Sequence, residues 1–158
     1  MQATTQPRII LHVDDDRDDY ELVKESILEH DSDISVHGVI NGREALLFLE
    51  RAKTNGGLPG LIILDLNMPV MDGKEFLMAL KGDPELSSIP VIIFTTSASP
   101  VDKAFAEKYG VEFFVKPPTM IQLSEALKKM LCLFSIGYAV ISLNMMYSIK
   151  LSARSLLY

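Results

Sequence analysis

Five short apolar runs, each ending at a polar residue and each followed by a stretch of helical periodicity, constrain this chain more than any other feature. The third run, Leu61-Ile62-Ile63-Leu64, is apolar at every position. A strand apolar on both faces belongs to a parallel sheet covered by helices on both sides. The other runs are Ile9 to Val13, Ile34 with Val36, Val91 to Phe94 behind Pro90, and Val111 to Val115. Between them, Tyr20, Val23 and Ile27 recur at helical spacing from about Asp18 to His30, with Leu28 beside them. Asn41-Gly42-Arg43-Glu44 offers a capping-box-like start to a second helix through about Lys53, broken by Asn55-Gly56-Gly57. Lys74 to Lys81 forms a third helix, ended by Gly82-Asp83-Pro84. Ser99-Pro100 opens a fourth that Gly110 can terminate, and Thr119-x-x-Gln122 starts a fifth. Right-handed crossovers make this an α/β chain with one doubly wound parallel sheet.

In such a fold, ligands sit beyond the carboxyl ends of the strands. The residues that follow each apolar run are therefore the ones to inspect. Asp14-Asp15-Asp16 follow the first, Asp65 the third, Thr95-Thr96 the fourth and Lys116-Pro117 the fifth. Taken singly, each has an ordinary explanation: an Asp after a strand is a turn former, an acid run is a solvated helix start, and a lysine lies on the surface. Taken jointly, they bring carboxylates, a hydroxyl and an ammonium to one rim. Magnesium is a hard cation that takes one or two carboxylates together with water and phosphate oxygens. Asp14 and Asp15 can supply those carboxylates, Asp65 a nucleophile for an aspartyl-phosphate, and Thr95 with Lys116 the groups that stabilise phosphoryl oxygens. There is no Walker-type glycine loop, so nucleotide binding is not required.

The runs Ile10-Leu11-His12-Val13-Asp14-Asp15-Asp16, Leu64-Asp65-Leu66-Asn67-Met68-Pro69-x-x-Asp72-Gly73, Phe94-Thr95-Thr96-Ser97 and Val115-Lys116-Pro117 resemble, in order and spacing, the receiver domain of two-component response regulators. The resemblance runs from about Arg8 to Leu131. It implies a flavodoxin-like, five-stranded sheet in the order 2-1-3-4-5 and phosphorylation of Asp65 by a histidine kinase or a histidine phosphotransfer protein. It further implies Mg²⁺ at Asp14, Asp15, Asp65 and the backbone carbonyl of Asn67, with Asp15 the more direct ligand of the acid pair. Thr95 matches the switch hydroxyl, Lys116 the phosphate-contacting lysine, Phe113 the switch aromatic, and Lys116-Pro117 the usual cis peptide. Phe114 is expected on the opposite face, in the core. The narrower likeness is to single-domain, chemotaxis-regulator-like proteins that work with sensor kinases and a further protein, here unknown.

Three departures stand out. His12 occupies a strand position where the family usually has an aliphatic residue, and is read as a satisfied core or edge histidine. Asp16 adds a third acid, read as a helix cap. Pro118 stiffens the approach to the last helix.

The expected organisation is a lead-in over residues 1–7, a receiver domain over 8–131 and a hydrophobic extension over 132–158. From Met130 to Ile149 the chain carries no charge and is mostly apolar, near the span of about 20 residues that crosses a bilayer. Asn144, Gly137 and three serines weaken that reading. A prolonged fifth helix or arm packed on the domain or on a second copy, as in a homodimer, is favoured over a poorly ordered extension. A membrane anchor comes last. No DNA-binding output domain fits in such a tail.

The net charge of −6 lacks the clustered basic surface that nucleic acid requires. The lone cysteine, Cys132, forms no internal disulfide, so a reducing, cytoplasmic setting is expected. The chain is read as a signalling protein and not as an enzyme. A hydrolase with an aspartyl intermediate would carry an acid two residues after its nucleophile, where this chain has Asn67. The competing reading is a phosphorylation-independent interaction module on the same fold.

Overall fold

The computed structural model describes residues 8–119 and 121–132. Strands β1 (Arg8–Val13), β2 (Ile34–Val39), β3 (Leu61–Leu64), β4 (Val91–Thr95) and β5 (Glu112–Val115) alternate with helices α1 (Arg17–His30), α2 (Gly42–Asn55), α3 (Gly73–Gly82) and α4 (Pro100–Tyr109). A last helix, α5, covers 121–132. The sheet is parallel throughout, in the order β2-β1-β3-β4-β5. This is the expected doubly wound topology, and its reversal between β1 and β3 opens a crevice at their carboxyl ends.

Alternation along the strands divides the core in two. Leu11, Val13, Ile62, Leu64 and Ile93 face α2, α3 and α4, where they meet Leu49, Phe76 and Leu80. Ile10, Leu61, Ile63, Ile92 and Phe94 face the other way, onto Val23 and Ile27 of α1 and Leu127 and Met130 of α5. Each such side chain, fully buried, contributes about 1.5–3 kcal/mol against conformational entropy. Phe113 and Phe114 follow the same rule: both are half-buried, the first on the α2–α4 side and the second on the α1–α5 side.

The helices start and stop where their caps lie. The Asp16 carboxylate accepts from the N–H groups of Asp18 and Asp19, and is the cap expected of it. Asn41 caps α2 by accepting from Glu44 N, but Glu44 does not return the bond to the cap, so the box there is half formed. The full capping box falls instead at Asp72 and Glu75, opening α3. Ser99 caps α4 with Pro100 in its first turn, and Gly56 and Gly110 close α2 and α4 in the left-handed conformation. No helix among the described residues is long and apolar enough to cross a membrane. The lead-in and the tail beyond Cys132, with the readings attached to them, lie outside the described residues.

Candidate functional site

The sheet ladder extends one residue past the strand ends and so fixes the site backbone. Asp14 N donates to Val39 O (3.0 Å), Asp65 N to Val13 O (2.9 Å) and Lys116 N to Thr95 O (2.7 Å). Asp14, Asp65, Thr95 and Lys116 thereby converge on the crevice from the ends of four strand segments. Asp14, Asp65 and Thr95 are buried, whereas Asp15 is exposed.

Carboxylate oxygens of Asp14, Asp15 and Asp65 lie within 4.8 Å of one another. Burial pushes the Asp14 carboxyl above its ordinary value, against the hydrogen bond from Lys116. Burial likewise raises Asp65, with the Lys116 charge opposing and the Asp14 charge reinforcing it. Lys116 Nζ donates to Asp14 Oδ2 at 2.5 Å and to Asp19 Oδ2 at 2.7 Å. Burial works against its charge, but these two hydrogen bonds outweigh burial and raise its pKa. One ammonium thus faces an excess of carboxylates, two of them buried.

An all-oxygen donor set with surplus negative charge fits a hard divalent cation. Asp14, Asp15 and Asp65 are the residues that would hold it. The Asn67 carbonyl accepts no hydrogen bond among the described residues, so it too is free to contribute. Asp14 Oδ1 is oriented by the N–H of Asp16 at 2.9 Å.

The loop after Asp65 is held tightly. Gly73 N donates to Leu66 O (3.0 Å) and Gly42 N to Met71 O (3.0 Å). A Cβ on Gly73 would sit 2.2 Å from the carbonyl oxygen of Asp65, so only glycine lets α3 start against the backbone of that residue. Met71 N donates to Pro69 O (2.8 Å), closing a three-residue turn around Val70. Val70 takes φ 69°, a conformation that costs a β-branched residue about 1–3 kcal/mol.

The expected site residues Asp14, Asp15, Asp65, Thr95 and Lys116 come together. Phe113 pairs with Ile93 of β4 on the α4 side of the sheet, so β4 separates it from Asp65 at the end of β3. Two expectations need correcting. No cis peptide occurs among the described residues, so Lys116–Pro117 is trans. Trans is the lower-energy form of an X–Pro bond by about 0.5–1 kcal/mol, and Lys116 reaches Asp14 and Asp19 from it. His12 is buried as expected but not satisfied, since its Nδ1 has no hydrogen-bond partner. Its ring stacks on Tyr20 at 6.0 Å, and burial, with the Lys116 charge, lowers its pKa to about 4, leaving it neutral.

Asp19 was missed because an acid in the first turn of a helix is fully explained by the helix dipole. The signal was its place on the α1 face three residues beyond the cap, which points it back at the rim. An open pocket of about 330 Å³ adjoins Asp14, lined also by Arg17, Tyr20, Glu21 and the β2 residues Gly38 and Val39.

The chain is similar in sequence and fold to known proteins. The family model described as the response regulator receiver domain matches residues 10–128. Response regulator Rcp1 of Synechocystis sp. is 39% identical over 93 residues, covering 58% of this chain. That alignment spans only 63% of Rcp1, under two thirds of the relative's length. Among solved structures, the phosphorylated cyanobacterial phytochrome response regulator RcpA is similar at a TM-score of 0.73 and 32% identity, over 78% of this chain and 90% of that one. The Mn²⁺-bound form of response regulator Rcp1 is similar at a TM-score of 0.71 and 31% identity, over 78% and 91%. Sequence motifs, sheet order and family match agree: the chain belongs to the response regulator receiver domain family.

Proposed function

We propose that this receiver accepts a phosphoryl group on Asp65 in a Mg²⁺-dependent reaction and thereby changes its contacts with other proteins. The observation that carries this reading is the pairing of a buried Asp65 with two further carboxylates, a buried hydroxyl and one shared ammonium. A carboxylate oxygen of Asp65 attacks the phosphorus of a phosphohistidine on a sensor kinase or phosphotransfer protein. The P–N bond breaks with its electron pair going to the imidazole, and an acyl phosphate remains on Asp65. Mg²⁺ held by Asp14, Asp15, Asp65 and the Asn67 carbonyl would neutralise charge on the phosphoryl oxygens. Thr95 donates its hydroxyl, and Lys116 its remaining N–H, to the same oxygens.

The output is a population shift. Thr95 follows the phosphoryl group, and Phe113, half-buried beside it in β5, turns into the space released. The receiver region is taken as residues 8–131 and the apolar stretch from 132 to 158 as an extension that packs on the domain or on a second copy. The protein signals through a further, unidentified protein in a reducing, cytoplasmic setting, and its net charge of −6 disfavours nucleic-acid contact.

The test is incubation with Mg²⁺ and a small acyl phosphate. The expected product is an acid-stable, base-labile phosphoryl adduct that Asp65→Asn abolishes. No adduct, or one unchanged in Asp65→Asn, would favour a phosphorylation-independent interaction module instead.

A further inference from the structure

Lys74, Asp102 and Ser97 form a bridge that the chemistry above does not use. Lys74 lies in the first turn of α3, directly after Gly73, and Asp102 in the first turn of α4. Ser97 lies in the loop between β4 and α4, two residues beyond Thr95. Lys74 Nζ is 2.5 Å from Asp102 Oδ1, and the Ser97 hydroxyl donates to Asp102 Oδ2 at 2.5 Å. Asp102 is buried, with each oxygen engaged by a different partner. Lys74 also sits over the Phe105 ring at 5.6 Å, which limits where its ammonium can go.

Ser97 carries this restraint into the site. Its backbone N–H donates to Thr95 Oγ1 at 3.3 Å, while its own Oγ accepts from Ser99 N at 3.3 Å. A threonine hydroxyl has one proton and two lone pairs. With a donor on the Ser97 side, the proton is directed elsewhere, and Asp65 is the neighbour that gains from it. The two ends of the bridge therefore meet the same residue. Gly73, next to Lys74, abuts the Asp65 backbone, and the Thr95 hydroxyl favours the charged form of its carboxylate.

We propose that Lys74 and Asp102 are positioning residues for phosphoryl transfer to Asp65, acting through Ser97 to aim the Thr95 hydroxyl. The proposal rests on the phosphoryl-accepting reading given above. Its chemistry is orientation alone: no bond to phosphorus involves Lys74, Asp102 or Ser97. A plain helix-to-helix tie between α3 and α4 would affect stability without depending on Thr95.

That dependence supplies the test. Phosphorylation by a small acyl phosphate with Mg²⁺ is followed in Asp102→Asn, in Thr95→Val and in the double variant, alongside thermal melting of each. Removing a donor that stabilises developing charge outright slows reactions by about 10²–10³, so misaiming one should slow this reaction by about tenfold. Asp102→Asn is expected to show that loss in the native background and none beyond Thr95→Val in the double variant. Lys74→Arg, which keeps the charge, retains the native rate, while Lys74→Met falls with Asp102→Asn. Binding of beryllofluoride, a phosphoryl mimic, gives the same cycle without turnover.

An equal loss in both backgrounds, or no loss in the native one, would overturn the proposal. Persistence of the adduct in Asp65→Asn would instead overturn the functional reading beneath it.

Discussion

The two edges of the sheet hold their charges in opposite ways. At the amino ends of the strands, Arg8 pairs with Asp31 across β1 and α1, and Lys53 reaches Asp83 at 2.6 Å and Glu50 at 3.2 Å. The acids there are stabilised as anions. Asp31 is lowered first by the N–H of Asp33, and Asp83 first by Lys53. At the carboxyl ends, Asp14 and Asp65 are raised by burial, and one lysine serves Asp14 and Asp19 while facing Asp65. The first edge is balanced and needs nothing more. The second is short of positive charge, and that shortage is what a divalent cation would fill.

Removing Lys116 should give the largest break in this contrast. Lys116→Met leaves Asp14 and Asp65 without their ammonium, and the unfolding free energy in metal-free buffer should fall by about 3–5 kcal/mol. Denaturant titration checks this, with Asp65→Asn in the same background restoring part of the loss. A drop no larger than that of Lys53→Met would erase the distinction between the edges.

Adding Mg²⁺ is the next largest effect. At a hundred times its Kd the cation should stabilise the fold by about 2.7 kcal/mol. Asp14→Asn and Asp65→Asn should lose this gain in a melting assay, and Asp83→Asn should keep it.

The pH dependence should have opposite signs at the two edges. Asp14 and Asp65 have folded pKa values above the unfolded carboxylate value of about 3.9, so the folded chain binds more protons. Their contribution is present below that value and is lost as pH rises through the raised values. Asp31 and Asp83 are lowered, so theirs is present above about 3.9 and is lost as pH falls through the lowered values. In metal-free melting curves across acidic pH, Asp65→Asn should flatten the limb that declines on raising pH. Asp83→Asn should flatten the limb that declines on lowering it.

The smallest effect belongs to Lys53→Met. Its pair is solvent-exposed on the Glu50 side, and the loss should be slight and largely removed in about 1 M salt, where screening is complete within a few ångströms.

Much of this was legible because chemistry at strand ends leaves a mark in the sequence. Leu61 to Leu64 is an unmistakable buried strand, and Asp65 is the residue that must emerge from it. Asp14, Thr95 and Lys116 follow by the same logic, and the sheet order came with the family likeness. What stayed hidden lies in helices. Asp19, Lys74 and Asp102 are ordinary first-turn residues, and only the packing of α1, α3 and α4 around the rim shows what they reach. Gly73 was visible as part of a motif, yet its reason, a 2.2 Å approach to the Asp65 carbonyl, exists only in three dimensions. His12 illustrates the reverse case: its burial was foreseeable, its unpaired Nδ1 was not.

The double pairing of Lys116 has a further consequence. An ammonium has three N–H bonds to give, and Asp14 and Asp19 occupy two. Among the described residues the third has no acceptor, so a group on Asp65 can take it without displacing either carboxylate. Because Asp19 belongs to α1, the same ammonium ties the end of β5 to that helix, making the lysine a junction as well as a counter-charge.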